Sequence, residues 1–148
     1  MSNYNRLMNT SDIISLISRI RRNVNGLIVS ELSNHGIEGL AVSHGDILYS
    51  LFRKQKMTMA EIAGRISKDK STVTALADKL MKLGYIRKER DTEDTRVVYM
   101  TLTPKGLALE PVFMAISEKM LEIFYRGITE GERQELFRIL SKIDSNFN

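Results

Sequence analysis

Apolar residues along most of this chain recur at every third or fourth position, which is the spacing of helices that bury one face. In the first third of the chain this spacing predicts two helices. One begins at Ser11 or Asp12 and runs to Leu32, and the other runs from Ser43 to Phe52. A glycine-rich connection joins them. This part of the chain is therefore predicted to be helical.

Two short helical patterns follow each other closely between Thr58 and Gly84. Thr58 and Glu61 form a T-x-x-E capping box, so a helix is predicted to begin at Met59. Asp69 is the predicted N-cap of the next helix. Gly84 suits the left-handed residue that commonly follows a helix. Two helices this close together predict a helix-turn-helix.

The apolar period changes from helical to alternating after Gly84. Ile86–Arg90 and Val97–Thr103 are rich in β-branched residues and are predicted to be strands. The run DTEDT between them is typical of a turn. A two-stranded hairpin, called the wing from here on, is therefore expected directly after the second helix of the motif.

Two longer helices are predicted after the wing. Thr103 is a good N-cap, and Pro104 loses no hydrogen bond at the first helical position. We expect this helix to reach Arg126 with a bend at Pro111. A final helix follows a second capping box at Thr129. Both helices are too apolar to stand alone, so we expect them to pack on the first helix or on a second subunit.

Helix, turn, helix and hairpin in this order are typical of winged-helix DNA-binding proteins. We predict a mostly α fold for the single 148-residue chain. A winged helix-turn-helix with a two-stranded β wing occupies residues 44–103, and an all-helical dimerisation region is formed by residues 1–32 and 104–147. A twofold dimer is expected because a symmetric operator requires a symmetric protein.

The second helix of the motif carries hydroxyl side chains in its first turns, at Ser71, Thr72 and Thr74, and lysines at Lys70 and Lys79. The first residues of a recognition helix reach base edges, and hydroxyls can bond to bases or phosphates. Serine and threonine are also simply favourable early in a helix. At this point both explanations remain open, and the wing favours DNA contact.

The wing itself carries both signs of charge. Its cations are candidates for phosphate or minor-groove contact, namely Arg87, Lys88, Arg90 and Arg96. Asp94 is placed to pair with Arg96 and stiffen the tip. Acidic neighbours such as Glu89 and Glu93 balance the cations, so a merely solvated hairpin is the alternative.

The run from Asp69 to Gly106 resembles the signature of the multiple-antibiotic-resistance repressor (MarR) family. The matching motifs are Asp-Lys-Ser-Thr-Val-Thr at 69–74, Leu-x-x-x-Gly at 80–84, Asp-x-Arg at 94–96 and Leu-Thr-Pro-Lys-Gly at 102–106. The flanking helices match in order and length. The resemblance implies an obligate homodimer that binds a palindromic operator and releases it on a small-molecule or redox signal. It also implies that Asp94 and Arg96 buttress the wing, with the arginine near DNA.

One departure from the family bears on function. Members often carry arginine where this chain has Ala75, so a guanine contact from that position cannot form. Ala75 and the acidic wing tip leave a second function open, that of a winged-helix protein–protein interaction module that no longer binds DNA. The first reading remains a DNA-binding transcriptional regulator, expected to be a repressor.

Composition narrows the remaining possibilities. The net charge is +4, and residues 1–100 hold 16 Lys and Arg against 11 Asp and Glu, as a DNA-facing surface requires. The absence of cysteine removes thiol oxidation as a signal. No apolar run is long enough for a membrane span and no signal peptide is evident, so a soluble, cytoplasmic protein is expected. We expect no metal, cofactor or enzymatic activity, because the two histidines and the rest of the chain form no catalytic or metal-binding motif.

The signal is therefore expected to be a small aromatic or phenolic effector. Its pocket is predicted where the first two helices meet the DNA-binding region, because ligands favour junctions between substructures. Arg19, His44 and Tyr49 are the candidate contacts for a carboxylate or phenol. The alternatives are that Tyr49 merely packs against its neighbours and that Arg19 pairs with Asp12 or meets solvent.

Overall fold

The computed structural model describes residues 3–148, and the side chains of residues 12–148. The chain divides into two compact units, of which the first ends at Ile116 and the second runs from Ser117 to Asn148. The elements, in chain order, are α1 (Asn3–Asn34), α2 (Val42–Lys54), β1 (Lys56–Thr58), α3 (Met59–Ile66), α4 (Lys70–Lys82), β2 (Ile86–Arg90), β3 (Val98–Leu102), α5 (Pro104–Leu107), α6 (Glu110–Phe124) and α7 (Glu130–Ser145). The mostly helical winged-helix fold is confirmed.

The core of the first unit lies between α2, the helix-turn-helix and the sheet. Its largest fully buried side chains, each less than 2% exposed, are Ile47, Leu48, Leu51, Ile62, Val73, Leu80 and Met100. Full burial of such a side chain stabilises the fold by roughly 1.5–3 kcal/mol. These residues hold α3 and α4 rigidly against α2, so the outer face of α4 has a defined direction.

The predicted ends of the helix-turn-helix are confirmed. Thr58 Oγ1 accepts a hydrogen bond from the Glu61 amide at 3.2 Å, and Glu61 Oε2 accepts one from the Thr58 amide at 3.3 Å. Asp69 is the N-cap of α4, and its carboxylate accepts from the Thr72 amide at 2.8 Å. Gly84 follows α4 at φ 81°, the left-handed conformation that glycine adopts without strain.

The wing is part of a three-stranded antiparallel sheet with strand order β1-β3-β2. β2 and β3 form the predicted hairpin, in which Ile86 faces Leu102 and Arg90 faces Val98. The prediction of two strands missed β1, whose Met57 pairs with Met100 and is 2% exposed. Three residues are too few to show an alternating pattern.

Two helix boundaries differ from the prediction. α1 begins at Asn3 rather than at Ser11 or Asp12. A cap-type residue costs only a few tenths of a kcal/mol inside a helix, so it does not force a start. The helix expected to run from Pro104 to Arg126 is instead two helices, separated at residues 108–109. Pro111 explains this break, because it has no N–H to bond with the preceding turn.

Many apolar side chains of α1, α6 and α7 remain exposed. Those on α1 include Ile13, Ile14, Ile17 and Ile20, which are 40–64% exposed. In the second unit no residue is buried, and Phe137 on α7 is 75% exposed. The predicted division into residues 1–32, 44–103 and 104–147 remains a prediction.

Candidate nucleic-acid interface

The direction of the α4 side chains follows from which of them are buried. Val73, Ala77 and Leu80 are buried, which is the spacing of one helix face. The opposite face is exposed and carries Ser71 and Thr74 in the first two turns. Thr72 lies at the edge of this face and is half-buried. The helix therefore presents short hydroxyl side chains to solvent at its N-terminal end, as a recognition helix does.

The Asp69 carboxylate organises these hydroxyls. Ser71 Oγ donates to its Oδ1 at 2.6 Å, and Thr72 Oγ1 donates to its Oδ2 at 2.8 Å. These hydrogen bonds, the Ser71 bond above all and then those of Thr72, hold the pKa of the Asp69 carboxyl well below its usual range. Asp69 is therefore ionised at neutral pH.

Thr74 has a different partner. Its Oγ1 donates to the Lys70 carbonyl oxygen one turn earlier, at 2.8 Å. This bond holds the Thr74 side chain along the helix surface. The Lys70 side chain is exposed at the start of the helix, where its positive charge can meet a polyanion.

The wing tip is held by side chains that bond to the backbone. The Asp91 carboxylate accepts from the amides of Glu93 and Asp94 at 2.8 and 2.9 Å. Arg90 Nη1 donates to the Thr95 carbonyl oxygen at 2.6 Å. The wing tip is therefore a turn whose backbone is held by side-chain hydrogen bonds.

The predicted pairing of Asp94 and Arg96 is confirmed. Arg96 Nε and Nη2 donate to the two oxygens of the Asp94 carboxylate at 3.0 and 3.1 Å. The pair lowers the pKa of Asp94 below its usual value. The Arg96 side chain is nevertheless 89% exposed, so its outer face remains open to a partner. Contact of these residues with DNA remains a prediction.

A groove of about 550 Å³ lies between the start of α4 and the sheet. Its lining residues are Met59, Lys70, Thr74, Lys88, Arg90, Val98 and Met100. Three of these are cations and three are apolar. Lys88 and Arg90 share one face of β2 because they are two residues apart. Both belong to the wing cations that the sequence indicated as candidates for phosphate contact, and the groove brings them close to Lys70 of α4.

Lys79 and the three predicted effector residues lie elsewhere. Lys79 Nζ approaches Gly39, in the connection before α2. His44 is 7% exposed, and its Nδ1 accepts from the Ala41 amide at 2.9 Å at the start of α2. Burial is the main cause that lowers the His44 pKa, and the charge of Lys79 is the next. Arg19 and Tyr49 are exposed, on α1 and α2. None of these residues lines the groove, and their role in effector binding remains a prediction.

The arrangement is suited to binding a polyanion rather than to catalysing a reaction. Exposed cations of α4 and the wing line one groove with the Thr74 hydroxyl, which is the combination that double-stranded DNA requires. Among the described side chains, no group of His, Asp and Glu is arranged to hold a metal ion.

Comparison with known proteins agrees with this geometry. The profile of the MarR family matches residues 40–98. The HTH-type transcriptional regulator SarZ of Staphylococcus haemolyticus is 31% identical over 100 residues, which are 68% of this chain and 67% of that protein. A mutant MarR from E. coli, solved in complex with operator DNA, matches 97% of this chain and 99% of its own, with a TM-score of 0.77 and 21% identity.

A second solved structure is relevant to regulation. It is that of BpsR from Bordetella bronchiseptica, a protein whose DNA binding is regulated by 6-hydroxynicotinic acid. It matches 88% of this chain and 91% of its own, with a TM-score of 0.75 and 20% identity. These likenesses show the same fold.

No helix within residues 3–148 has the length and apolar character needed to cross a membrane. The relatives are transcriptional regulators and not enzymes. With a winged helix-turn-helix whose recognition helix and wing match theirs, this chain belongs to the MarR family of DNA-binding transcriptional regulators.

Proposed function

We propose that a homodimer of this chain represses transcription by binding a palindromic operator, from which a small aromatic or phenolic effector releases it. The observation that carries the proposal is the exposed start of α4, where Lys70 and Thr74 line a groove together with Lys88 and Arg90 of the wing. In this proposal α4 enters the major groove, and Arg90 and Arg96 meet the backbone or the minor groove. The likeness to a MarR protein solved with operator DNA supports this orientation.

The dimer is supported by the apolar side chains of α1, α6 and α7 that a single chain leaves exposed. Isolated exposed apolar residues are ordinary, but a helix face that carries many of them marks an interaction surface. The occupant is a second copy of these helices, since closed twofold symmetry is the commonest arrangement of soluble oligomers. Such a dimer carries two α4 helices, so we expect half-sites roughly one helical turn, about 10 base pairs, apart.

Release by an effector is supported by the chemistry of the groove. Lys70, Lys88 and Arg90 can pair with a carboxylate, and Met59 and Val98 can contact an aromatic ring. Because these cations also face the proposed DNA surface, an aromatic acid in the groove competes with DNA for the same charges. The regulation of BpsR by an aromatic acid supports an effector of this class. A ligand shifts DNA affinity only through its preference for one state.

The first experiment measures DNA binding by the full chain. Fluorescence anisotropy on its own upstream region should show saturable binding that weakens steeply with salt, because lysine and arginine contacts release counterions. A protein–protein interaction module would show no salt-sensitive DNA binding. A footprint of one asymmetric half-site bound by a monomer would contradict the proposed dimer.

The second experiment locates the effector. Aromatic acids and phenols are titrated into the operator complex and into the free dimer. The Lys88→Ala variant should lose the response if the effector occupies the groove, whereas Arg19→Ala should keep it. The reverse result would place the effector near α1 and α2, with His44 and Tyr49. If no acid or phenol alters operator affinity and hydrogen peroxide does, methionine oxidation replaces the small-molecule signal.

A further inference from the structure

The hydroxyl groups at the start of α4 have a fixed hydrogen-bond direction. Ser71 Oγ and Thr72 Oγ1 both lie within 2.8 Å of the Asp69 carboxylate. An ionised carboxylate has no hydrogen to donate, so the hydroxyl hydrogens must point to it. A bond between a hydroxyl and a charged group is stronger than one between neutral groups. Both hydroxyl hydrogens are therefore already used in hydrogen bonds within the protein.

The hydroxyl of Thr74 also uses its hydrogen within the protein. Thr74 Oγ1 donates to the Lys70 carbonyl oxygen at 2.8 Å, and a carbonyl oxygen is only an acceptor. Each of the three hydroxyls has a single hydrogen and two lone pairs. Toward solvent, and toward DNA, these three hydroxyls therefore offer lone pairs rather than hydrogens.

Lone pairs discriminate among the groups of DNA. Phosphate oxygens only accept hydrogen bonds, so they gain nothing from a hydroxyl whose hydrogen is already donated. In the major groove, guanine and thymine present acceptors, whereas adenine N6 and cytosine N4 carry amino hydrogens. A hydroxyl that can only accept therefore prefers adenine or cytosine at the base it reaches.

We propose that Asp69 is a positioning residue for operator recognition, which turns the Ser71 and Thr72 hydroxyls into acceptors that select the amino group of adenine or cytosine. The inference rests on the proposed function, in which α4 enters the major groove, and it adds the chemistry of the bases that α4 selects. Thr72 is the residue most directly controlled, because Asp69 binds both its amide and its hydroxyl.

The substitution Asp69→Asn separates this role from helix capping. Asparagine is as good an N-cap as aspartate, so α4 should still form. Its carbonyl oxygen can keep the bonds from Ser71 Oγ and the Thr72 amide. Its NH₂ group then replaces Oδ2 and donates to Thr72 Oγ1, which frees the Thr72 hydrogen for DNA. The opposite amide orientation would set NH₂ against the Thr72 N–H.

The test begins with selection of bound sequences from a random duplex library by the full chain and by the Asp69→Asn variant. Wild type should select adenine or cytosine at one half-site position where Asp69→Asn selects guanine or thymine. Asp78→Asn removes a negative charge from the exposed face of the same helix and should keep the wild-type preference. Circular dichroism of all three proteins should be the same.

Modified bases then identify the contacted atom. At that position, replacing adenine by purine, or cytosine by pyrimidin-2-one, removes only the amino group. This should weaken wild-type binding roughly tenfold. The same replacement should have no effect on Thr72→Val, which lacks the hydroxyl but keeps its shape. Asp69→Asn should also be insensitive to it.

The outcomes distinguish the inference from the function on which it rests. If the wild type selects no sequence and binds DNA of no kind, the proposed function is wrong. If it binds a defined operator but tolerates loss of every amino group in the half-site, Asp69 does not set the preference. An unchanged preference in Asp69→Asn overturns the inference in the same way.

Discussion

Gly106 provides a test of how the wing is joined to the end of α4. A methyl group built on it would lie 2.1 Å from the Tyr85 carbonyl oxygen, 3.0 Å from the Tyr85 carbonyl carbon and 3.1 Å from Leu102 Cδ2. The first contact is with backbone, so no side-chain rotation can relieve it. Gly106→Ala must therefore push α5 away from residue 85 by about 1 Å to reach an ordinary contact distance.

That displacement acts on hydrogen bonds that close the wing. The Thr103 amide donates to the Tyr85 carbonyl oxygen at 3.0 Å, and Thr103 Oγ1 donates to the Gly84 carbonyl oxygen. Overpacking destabilises the fold by about 1–3 kcal/mol, and each weakened hydrogen bond by up to about 1 kcal/mol. Alanine also restricts the unfolded chain more than glycine does, which stabilises the fold by about 0.4–1 kcal/mol. We expect Gly106→Ala to lower the free energy of unfolding by about 3 kcal/mol per protomer.

Urea unfolding followed by circular dichroism, at one protomer concentration, measures this loss. Gly64→Ala is the matched control, because a methyl group there meets nothing within 4 Å and Gly64 lies inside α3. That control should be more stable by roughly 0.5–1 kcal/mol. A loss below about 1 kcal/mol in Gly106→Ala would show that α5 moves freely and would refute the reasoning.

Three further outcomes are expected. Arg96→Ala should weaken binding to operator and random DNA alike, because a wing arginine contacts the DNA backbone or reads the shape of a groove. A loss of affinity for the operator alone, in anisotropy titrations, would contradict this. The depressed pKa of His44 means that the unfolded chain binds its proton more readily, so stability should be full above pH ~6.5 and fall as the pH drops through the lower folded-state pKa. The free energy of unfolding of wild type and of His44→Gln, measured from pH 7.5 to 5, should therefore depend on pH in the same way above pH ~6.5. Below it, the free energy of the wild type should fall more steeply. Truncation after Gly127 should abolish the dimer and leave no stable monomer, since it removes α7, and a folded monomer in sedimentation would oppose the proposed interface.

Local chemistry made the DNA-binding region predictable in advance. The capping box at Thr58, the N-cap Asp69 and the turn residue Gly84 each act within three or four positions of the chain, so their outcome can be deduced from neighbours in sequence. The strands of the wing were recognisable from alternation for the same reason. The pairing of Asp94 with Arg96 also follows from a separation of two residues.

What depends on distant parts of the chain could not be deduced in this way. β1 is a strand only because β3 lies beside it, and the groove exists only because β2 and β3 approach the start of α4. The prediction placed the hydroxyls of Ser71, Thr72 and Thr74 in the first turns of this helix, but it did not give the direction of their hydrogens. Local hydrogen bonding thus determined the elements, whereas packing between residues far apart in sequence, such as Tyr85 against Gly106, decided how they assemble into a surface.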